Sequence, residues 1–468
     1  MSKSELKLTY NFRLWFFLAA GLSLLLGGSY SNQYVNAEVE IKDPNLKVET
    51  VAEGLKTPTA MAFLGPQDIL VLEKTQGKVQ RIIDGKMQDA PVLDVDPHVS
   101  HEAERGMLGL TIAKDNRQDN ENVSQDESNR RYVFLFYTEY SGERYDENCD
   151  DCPVESAVAR LYRYEFKGGT LVNPELLLTI PIGRDRIHIG GALTLDSDDN
   201  VYIISGDRSG CRDYDSCSTL VKTGNLNSET ANKLNGSKPT GSGGILRVTR
   251  DGNVVNGKGT PDDADLLNFY YAYGIRNSFG IDFDPVTGKL WDTENGPGFG
   301  DEINLVEPGF NSGWAKVQGF WPVEISHLNP IQPQPGYTGS EAIPSTIDLV
   351  DLNDDGKYSH PEFTWNITVA VTSIKFLNSD KLGKEYENDL FVGDHKNGRL
   401  YHFDLNKNRT ELVLNETLND KVADSDTELK DVILADGFNS ITDIEVGPDG
   451  YLYILSMYEG KIFRIVPD

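Results

Sequence analysis

From about residue 45 to the C-terminus the chain repeats one pattern of apolar and polar positions. A strand of alternating apolar residues runs into a turn, often Pro-Asp-Gly or a relative of it. A second strand rich in Leu, Tyr, Ile and Val follows, then a short gap and a third strand. The copies are TAMAFLGPQDILVLEKTQGKVQRIIDG; GLTIAK with RYVFLFYTEY and ARLYRYEF; GALTLDSDDNVYIISGD with GGILRVTRDG; FGIDFDPVTGKLWDTEN with DEINLVEPG; VTSIKFL with DLFVGDHKNGRLYHFDL; and ITDIEVGPDGYLYILSMYEGKIFRIV. Period-two alternation bounded by turn residues predicts strands. Six such copies overfill a sandwich. They predict an all-β, six-bladed β-propeller over 45–468, with a fourth strand per blade drawn from the intervening sequence. The segment LKVETVAEGL, ahead of the first copy, is placed to close the ring against the last. Two unrelated β-domains are the alternative, but no Pro/Ser linker separates them. Long, polar or proline-bearing insertions at 114–130, 141–157, 208–240 and 315–360 read as loops.

The first 40 residues follow a different pattern. Lys3, Lys7 and Arg13 precede an apolar run from Leu14 to Leu26, and a polar stretch ends in Val35-Asn36-Ala37. This is the charge order of an export signal. The run is short for a spanning helix, which needs about 20 apolar residues. Residues 1–40 are therefore expected to be a signal peptide or an N-terminal membrane anchor, with the rest of the chain secreted or tethered on the extracellular or periplasmic side. Export makes disulfides stable. The spacing of Cys149, Cys152, Cys211 and Cys217 permits three pairings, of which the two local ones, Cys149/Cys152 and Cys211/Cys217, are preferred because each would pin a loop. Sequons stand at Asn122, Asn366, Asn408 and Asn415.

A formal net charge of -29 repels phosphate and excludes nucleic acid as an expected partner. It also leaves many carboxylates for hard cations. Asp351, Asn353, Asp355, Gly356 and Glu362 match the Asp-x-Asn-x-Asp-Gly-x5-Glu spacing of a Ca²⁺ loop, although Pro361 and the β-type flanks do not supply two EF-hand helices. No Gly-rich turn opens a βαβ unit, so a nicotinamide cofactor is not expected. Of only seven histidines, His188 stands out in Arg186-Ile187-His188-Ile189-Gly190-Gly191, before a strand. An imidazole there can take a proton from an alcohol, and the flanking glycines let a flat group approach. Asp207, at the end of the next strand, is placed to orient it.

The pieces EKTQGKVQRI, ERGMLGL, IHIGGALTLDSDDNVYIISGD, GILRVTRDG, YAYGIRNSFGIDFDPVTGKLWDTENGPGFGDEINLVEPGFNSGW and ITDIEVGPDG lie in order across 51–467. Together they resemble the soluble quinoprotein sugar dehydrogenases, the glucose/sorbosone dehydrogenase group. The resemblance implies a propeller that binds pyrroloquinoline quinone and Ca²⁺ at its central top face, oxidises the C1 hydroxyl of an aldose and passes electrons to an external acceptor. It assigns His188 as catalytic base with Asp207 beside it, and Arg276 and Asn277 against the cofactor. It further assigns the Gly296 and Pro297 carbonyls to the cofactor's Ca²⁺, Asp301 and Glu302 to a second, structural Ca²⁺ element, Lys396 to the cofactor and Glu104 to the substrate. Two departures weaken the pattern. Ser440 and Thr442 stand where glucose-specific members carry two arginines that contact the cofactor's carboxylates. A non-enzymatic extracellular propeller binding a glycan or protein partner is therefore the alternative, with a hydrolase behind it.

Overall fold

The computed structural model describes residues 39–114, 131–141, 156–208, 229–233, 240–255, 266–323, 347–351 and 356–468. Cys149, Cys152, Cys211 and Cys217, the Ca²⁺-loop residues Asn353 and Asp355, and residues 1–38 of the leader lie outside them. Among the described residues the regular structure is strand, with a few short 3₁₀ turns.

Each quoted repeat forms the inner part of a sheet. Arg131–Tyr140 pairs antiparallel with both Ala157–Lys167 and Met107–Lys114. The alternation seen in their sequences points one face of this sheet into each neighbouring inter-sheet core. Phe134 and Phe136 pack with Leu161, Ile180 and Ile203, whereas Val133 and Leu135 pack with Leu70, Leu72 and Tyr164. Leu46–Glu53 pairs antiparallel with Lys461–Pro467, so an N-terminal strand completes the sheet of the C-terminal repeat.

The expected six-bladed β-propeller with long loop insertions needs correction. The described strands form an all-β propeller of unequal sheets: two have four strands, three have five, one has six, and a separate ribbon has two. The added strands are short and come from insertions or from the N-terminus. Phe310–Asn311 and then Lys357–Tyr358 add in parallel beyond Tyr270–Tyr273. Val422–Ala423 adds in parallel beyond Phe363–Trp365. Glu40–Ile41 adds beyond Ile433–Asp436. Two- or three-residue strands carry no alternation, so periodicity cannot reveal them. Among the described residues no helix is long and apolar enough to cross a membrane; residues 1–38 of the expected signal peptide or anchor lie outside them.

The first strands of the repeats, Pro58–Gly65, Met107–Lys114, Leu193–Leu195, Ser278–Phe283, Val371–Phe376 and Ile441–Val446, all contribute to the wall of one central cavity of about 750 Å³. Neighbouring loops add His188, Arg276, Asn295 and Gly296 to the wall, and the strands themselves add Thr372, Lys375, Thr442, Asp443 and Glu445.

Candidate active site

His188 sits in the loop before Leu193–Leu195 with φ +61°, a left-handed conformation that costs a non-glycine residue energy. The loop lies directly on the end of Val201–Ser205. A Cβ on Gly190 would stand 2.7 Å from the Ile204 carbonyl oxygen, and one on Gly206 would collide with the His188 carbonyl. Glycine is what permits that close approach. The loop is also tied from outside. Glu104 Oε2 accepts from His188 N at 2.6 Å, from Ile189 N at 3.3 Å and from Asn277 Nδ2 at 3.3 Å. Burial raises the Glu104 carboxyl above its usual range, opposed by these donors and by Arg276. Glu104 thus holds both the histidine loop and Asn277.

His188 is 3% exposed and lines the cavity. Its Nδ1 lies 3.1 Å from the Asp207 carbonyl oxygen. A carbonyl only accepts, so Nδ1 carries the proton and Nε2 the lone pair. Burial, and then the Arg276 charge, hold the imidazole well below its ordinary pKa, with the Asp207 carbonyl acting weakly the other way. The ring is neutral at physiological pH.

Asp207 is placed beside His188, but through its backbone. Its carboxylate turns away: Oδ1 accepts from Glu229 N at 2.8 Å and Oδ2 from Trp314 Nε1 at 2.6 Å. The Trp314 ring in turn carries the Arg276 guanidinium at 5.3 Å, a cation–π contact. Arg276 Nη1 donates to the Asn295 and Gly296 carbonyls at 2.7 and 3.1 Å, and its backbone N–H donates to Glu294 at 2.7 Å. Burial lowers the pKa of the guanidinium, opposed by Glu104, Asp301, Asp207 and Glu294. It stays charged nonetheless.

Gly296 lines the cavity beside Arg276, whereas Pro297 does not. Asp301 fixes the Gly296 turn. Its Oδ1 accepts from Gly296 N at 2.8 Å, and its Oδ2 accepts from Val369 N and Ala370 N at 2.8 and 2.7 Å. Burial pushes this carboxyl up to about 6 against those donors. Glu302 points into a different buried group. It accepts from Asn304 Nδ2 at 3.0 Å and Gln318 Nε2 at 2.8 Å, and shares the Ser312 hydroxyl with Glu294. Burial pushes Asp292 and Glu294 up to about 8 and Glu302 well above its usual range. Among the described residues no basic side chain lies within ion-pair distance of Asp292, Glu294 or Glu302.

Lys396 is held outside the cavity wall, its Nζ on the Thr368 carbonyl at 3.0 Å. The wall position belongs to His395, which sequence reasoning missed. Its Nδ1 lies 2.7 Å from Ser440 Oγ and its Nε2 lies 3.2 Å from the Tyr458 hydroxyl. Thr442 also lines the cavity and donates to the Pro58 carbonyl at 3.0 Å. Lys74, likewise missed, lines the cavity and donates to Ala103 O, with burial lowering its pKa and Glu104 opposing. Of the proposed Ca²⁺ loop, Asp351 accepts through its carbonyl from Gly356 N at 2.7 Å, and Glu362 pairs with Lys421 at 2.8 Å.

The cavity wall tests whether a planar, acidic quinone fits. Arg276 Nε, Asn277 Oδ1 and Asn295 Oδ1 are buried there with no hydrogen-bond partner. Unsatisfied buried polar groups cost about 1–3 kcal/mol each, which a polar ligand recovers. With Lys74 and His395, Arg276 offers cationic and donor groups, and the two amide oxygens offer acceptors, around a volume suited to one cofactor and a small substrate. The buried Asp292, Glu294 and Glu302 offer the hard oxygen set that Ca²⁺ takes.

The glucose/sorbosone dehydrogenase family model matches residues 55–464. The aldose sugar dehydrogenase of Escherichia coli is 24% identical over 426 residues, covering 90% of this chain and 93% of that protein. Quinoprotein glucose dehydrogenase B of Acinetobacter calcoaceticus is 24% identical over 456 residues, covering 90% of this chain and 87% of its own length. The structure of the pyrroloquinoline-quinone-bound aldose sugar dehydrogenase from Streptomyces coelicolor matches at TM-score 0.56 and 19% identity, over 90% of this chain and 98% of that one. With a match running through nearly the whole propeller, this chain belongs to the glucose/sorbosone dehydrogenase family.

Proposed function

We propose that this protein oxidises the C1 hydroxyl of an aldose or related sugar outside the cytoplasm, with pyrroloquinoline quinone and Ca²⁺ bound in the central cavity and an external molecule as final electron acceptor. The observation that carries the reading is His188: a buried, neutral imidazole in the cavity wall whose tautomer places the lone pair on Nε2. Pyrroloquinoline quinone, when bound, supplies the acceptor for the hydride that leaves the sugar carbon.

The chain's own residues do the rest. His188 Nε2 takes the hydroxyl proton as the carbon–hydrogen bond breaks. The Asp207 carbonyl holds the neutral ring in the Nδ1–H tautomer, which leaves the Nε2 lone pair for the hydroxyl. Arg276, fixed by two carbonyls and a tryptophan face, supplies a positive charge where negative charge develops on the acceptor. The Gly296 carbonyl, which already faces a cation, would help to hold the cofactor's Ca²⁺. Asp301 would keep that turn in place, and Glu302 with Glu294 would hold a second Ca²⁺. Asn277 would support the cofactor, and Glu104 would hold sugar hydroxyls from the position that anchors the His188 loop. Ser440, Thr442 and His395 supply no permanent charge to replace two arginines, so neutral or weakly basic groups would meet the cofactor at this rim.

Spectroscopic titration of pyrroloquinoline quinone into the apoprotein, with and without Ca²⁺, tests the reading. Saturable, Ca²⁺-dependent binding supports it. No binding under saturating Ca²⁺ rejects it and leaves a glycan- or protein-binding propeller.

A further inference from the structure

Away from the central cavity, three metal-ligating side chains converge at the open end of the strand pair Leu390–Asp394 and Leu400–Phe403. His402 Nε2 lies 2.9 Å from Asp389 Oδ2 and 3.8 Å from Asp404 Oδ1, and the ligand atoms of all three fall within 4.8 Å of one another. None of the three lines the cavity. We propose that Asp389, His402 and Asp404 form a binding site for a divalent transition metal of the zinc type.

The geometry favours this ion class. Zinc bonds to imidazole nitrogen and carboxylate oxygen are about 2.0–2.2 Å long, so tetrahedral ligand atoms stand about 3.3 Å apart. The two observed separations straddle that value and need only small side-chain rotations. An imidazole nitrogen with two carboxylates suits zinc and its neighbours, whereas Ca²⁺ and Mg²⁺ prefer an all-oxygen set. The histidine is held in place before any ion arrives. Its ring stacks on Phe391 at 5.0 Å, meets Tyr386 edge-on at 5.0 Å, and its backbone N–H donates to Val432 O at 2.8 Å. Asp389 is fixed by its own backbone bonds to Tyr386 and Leu377. The two carboxyl groups crowd one another, and burial together with Asp389 raises the Asp404 carboxyl. A dication between them removes that conflict. The Asp404 side chain is 60% exposed, against 12% for Asp389 and 21% for His402. One side therefore stays open to water, as in a three-ligand zinc site with a fourth position free.

The test is calorimetric titration of Zn²⁺ into the Ca²⁺-saturated full chain and into Asp404→Asn and His402→Gln variants, with Co²⁺ absorption as a second readout of tetrahedral ligation. The wild type is expected to bind one more equivalent than either variant. Asp404 is exposed, so its variant keeps the fold even if replacing the stacked His402 disturbs it. Equal stoichiometry and affinity in the wild type and Asp404→Asn, or no zinc binding by the wild type, overturns the proposal.

Discussion

The Trp314 indole N–H donates to the Asp207 carboxylate at 2.6 Å, so the side chain that looked placed to orient His188 instead fixes the ring beneath Arg276. His188 is oriented by the Asp207 main chain. Asp207→Asn therefore separates two accounts. A carboxylate that sets a catalytic histidine's tautomer costs about 10⁴-fold in turnover when amidated. Here the expected loss is below about tenfold, accompanied by about 1–3 kcal/mol of destabilisation as Glu229 N or Trp314 Nε1 loses its acceptor. Steady-state turnover and denaturant unfolding of the same variant check both. A 10⁴-fold loss with unchanged stability contradicts the geometry.

The pH profile follows from two causes acting on one ring. Burial, and then Arg276, hold His188 well below its ordinary 6.5. The acid limb of kcat/KM is expected below 6.5, with a plateau above it, because the base is already neutral there. Replacing Arg276 with Gln removes the second cause and moves the limb upward. An acid limb at or above 6.5 in the wild type, or no upward movement in the variant, is the contrary result.

Much of this arrangement was readable in advance, and the limits are physical. RYVFLFYTEY and ARLYRYEF run for ten and eight residues rich in strand-forming side chains, and they form the expected paired strands. LKVETVAEGL closes onto Lys461–Pro467 because its alternation matches that partner. By contrast, Val422–Ala423 is two residues long and gives no period. Asp207 was legible as a neighbour of His188, but not the choice between its carbonyl and its carboxylate, which depends on a tryptophan 107 residues away. His395 was passed over for Lys396, one position along, because a lysine looks like a cofactor contact and strand-end rotation is invisible in sequence.

The buried carboxylates predict how calcium and pH interact. Asp292 and Glu294 are pushed up to about 8 and Glu302 well above its usual range, so the folded protein keeps protons that the unfolded chain has released above about 4.5. Without Ca²⁺, stability contributed by these groups is present below about 4.5 and declines as pH rises towards 8. Ca²⁺ competes with those protons, so its stabilising effect grows over the same interval. Melting temperatures with Ca²⁺ or with chelator, from pH 5 to 8, are expected to diverge as pH increases. Glu302→Gln should reduce the divergence. Parallel curves, or an unaltered gap in the variant, contradict a cation at this group.

The most direct measurement is turnover of aldoses by protein reconstituted with Ca²⁺ and pyrroloquinoline quinone, coupled to an artificial electron acceptor, in the wild type and in His188→Ala. The account predicts sugar-dependent dye reduction by the wild type and a fall of at least about 10²-fold in the variant, the low end for losing a general base. The variant's quinone titration should be unchanged, which shows that the site is still assembled. A quinone-loaded wild type that reduces no dye with any aldose, or a His188→Ala variant that turns over normally, contradicts it.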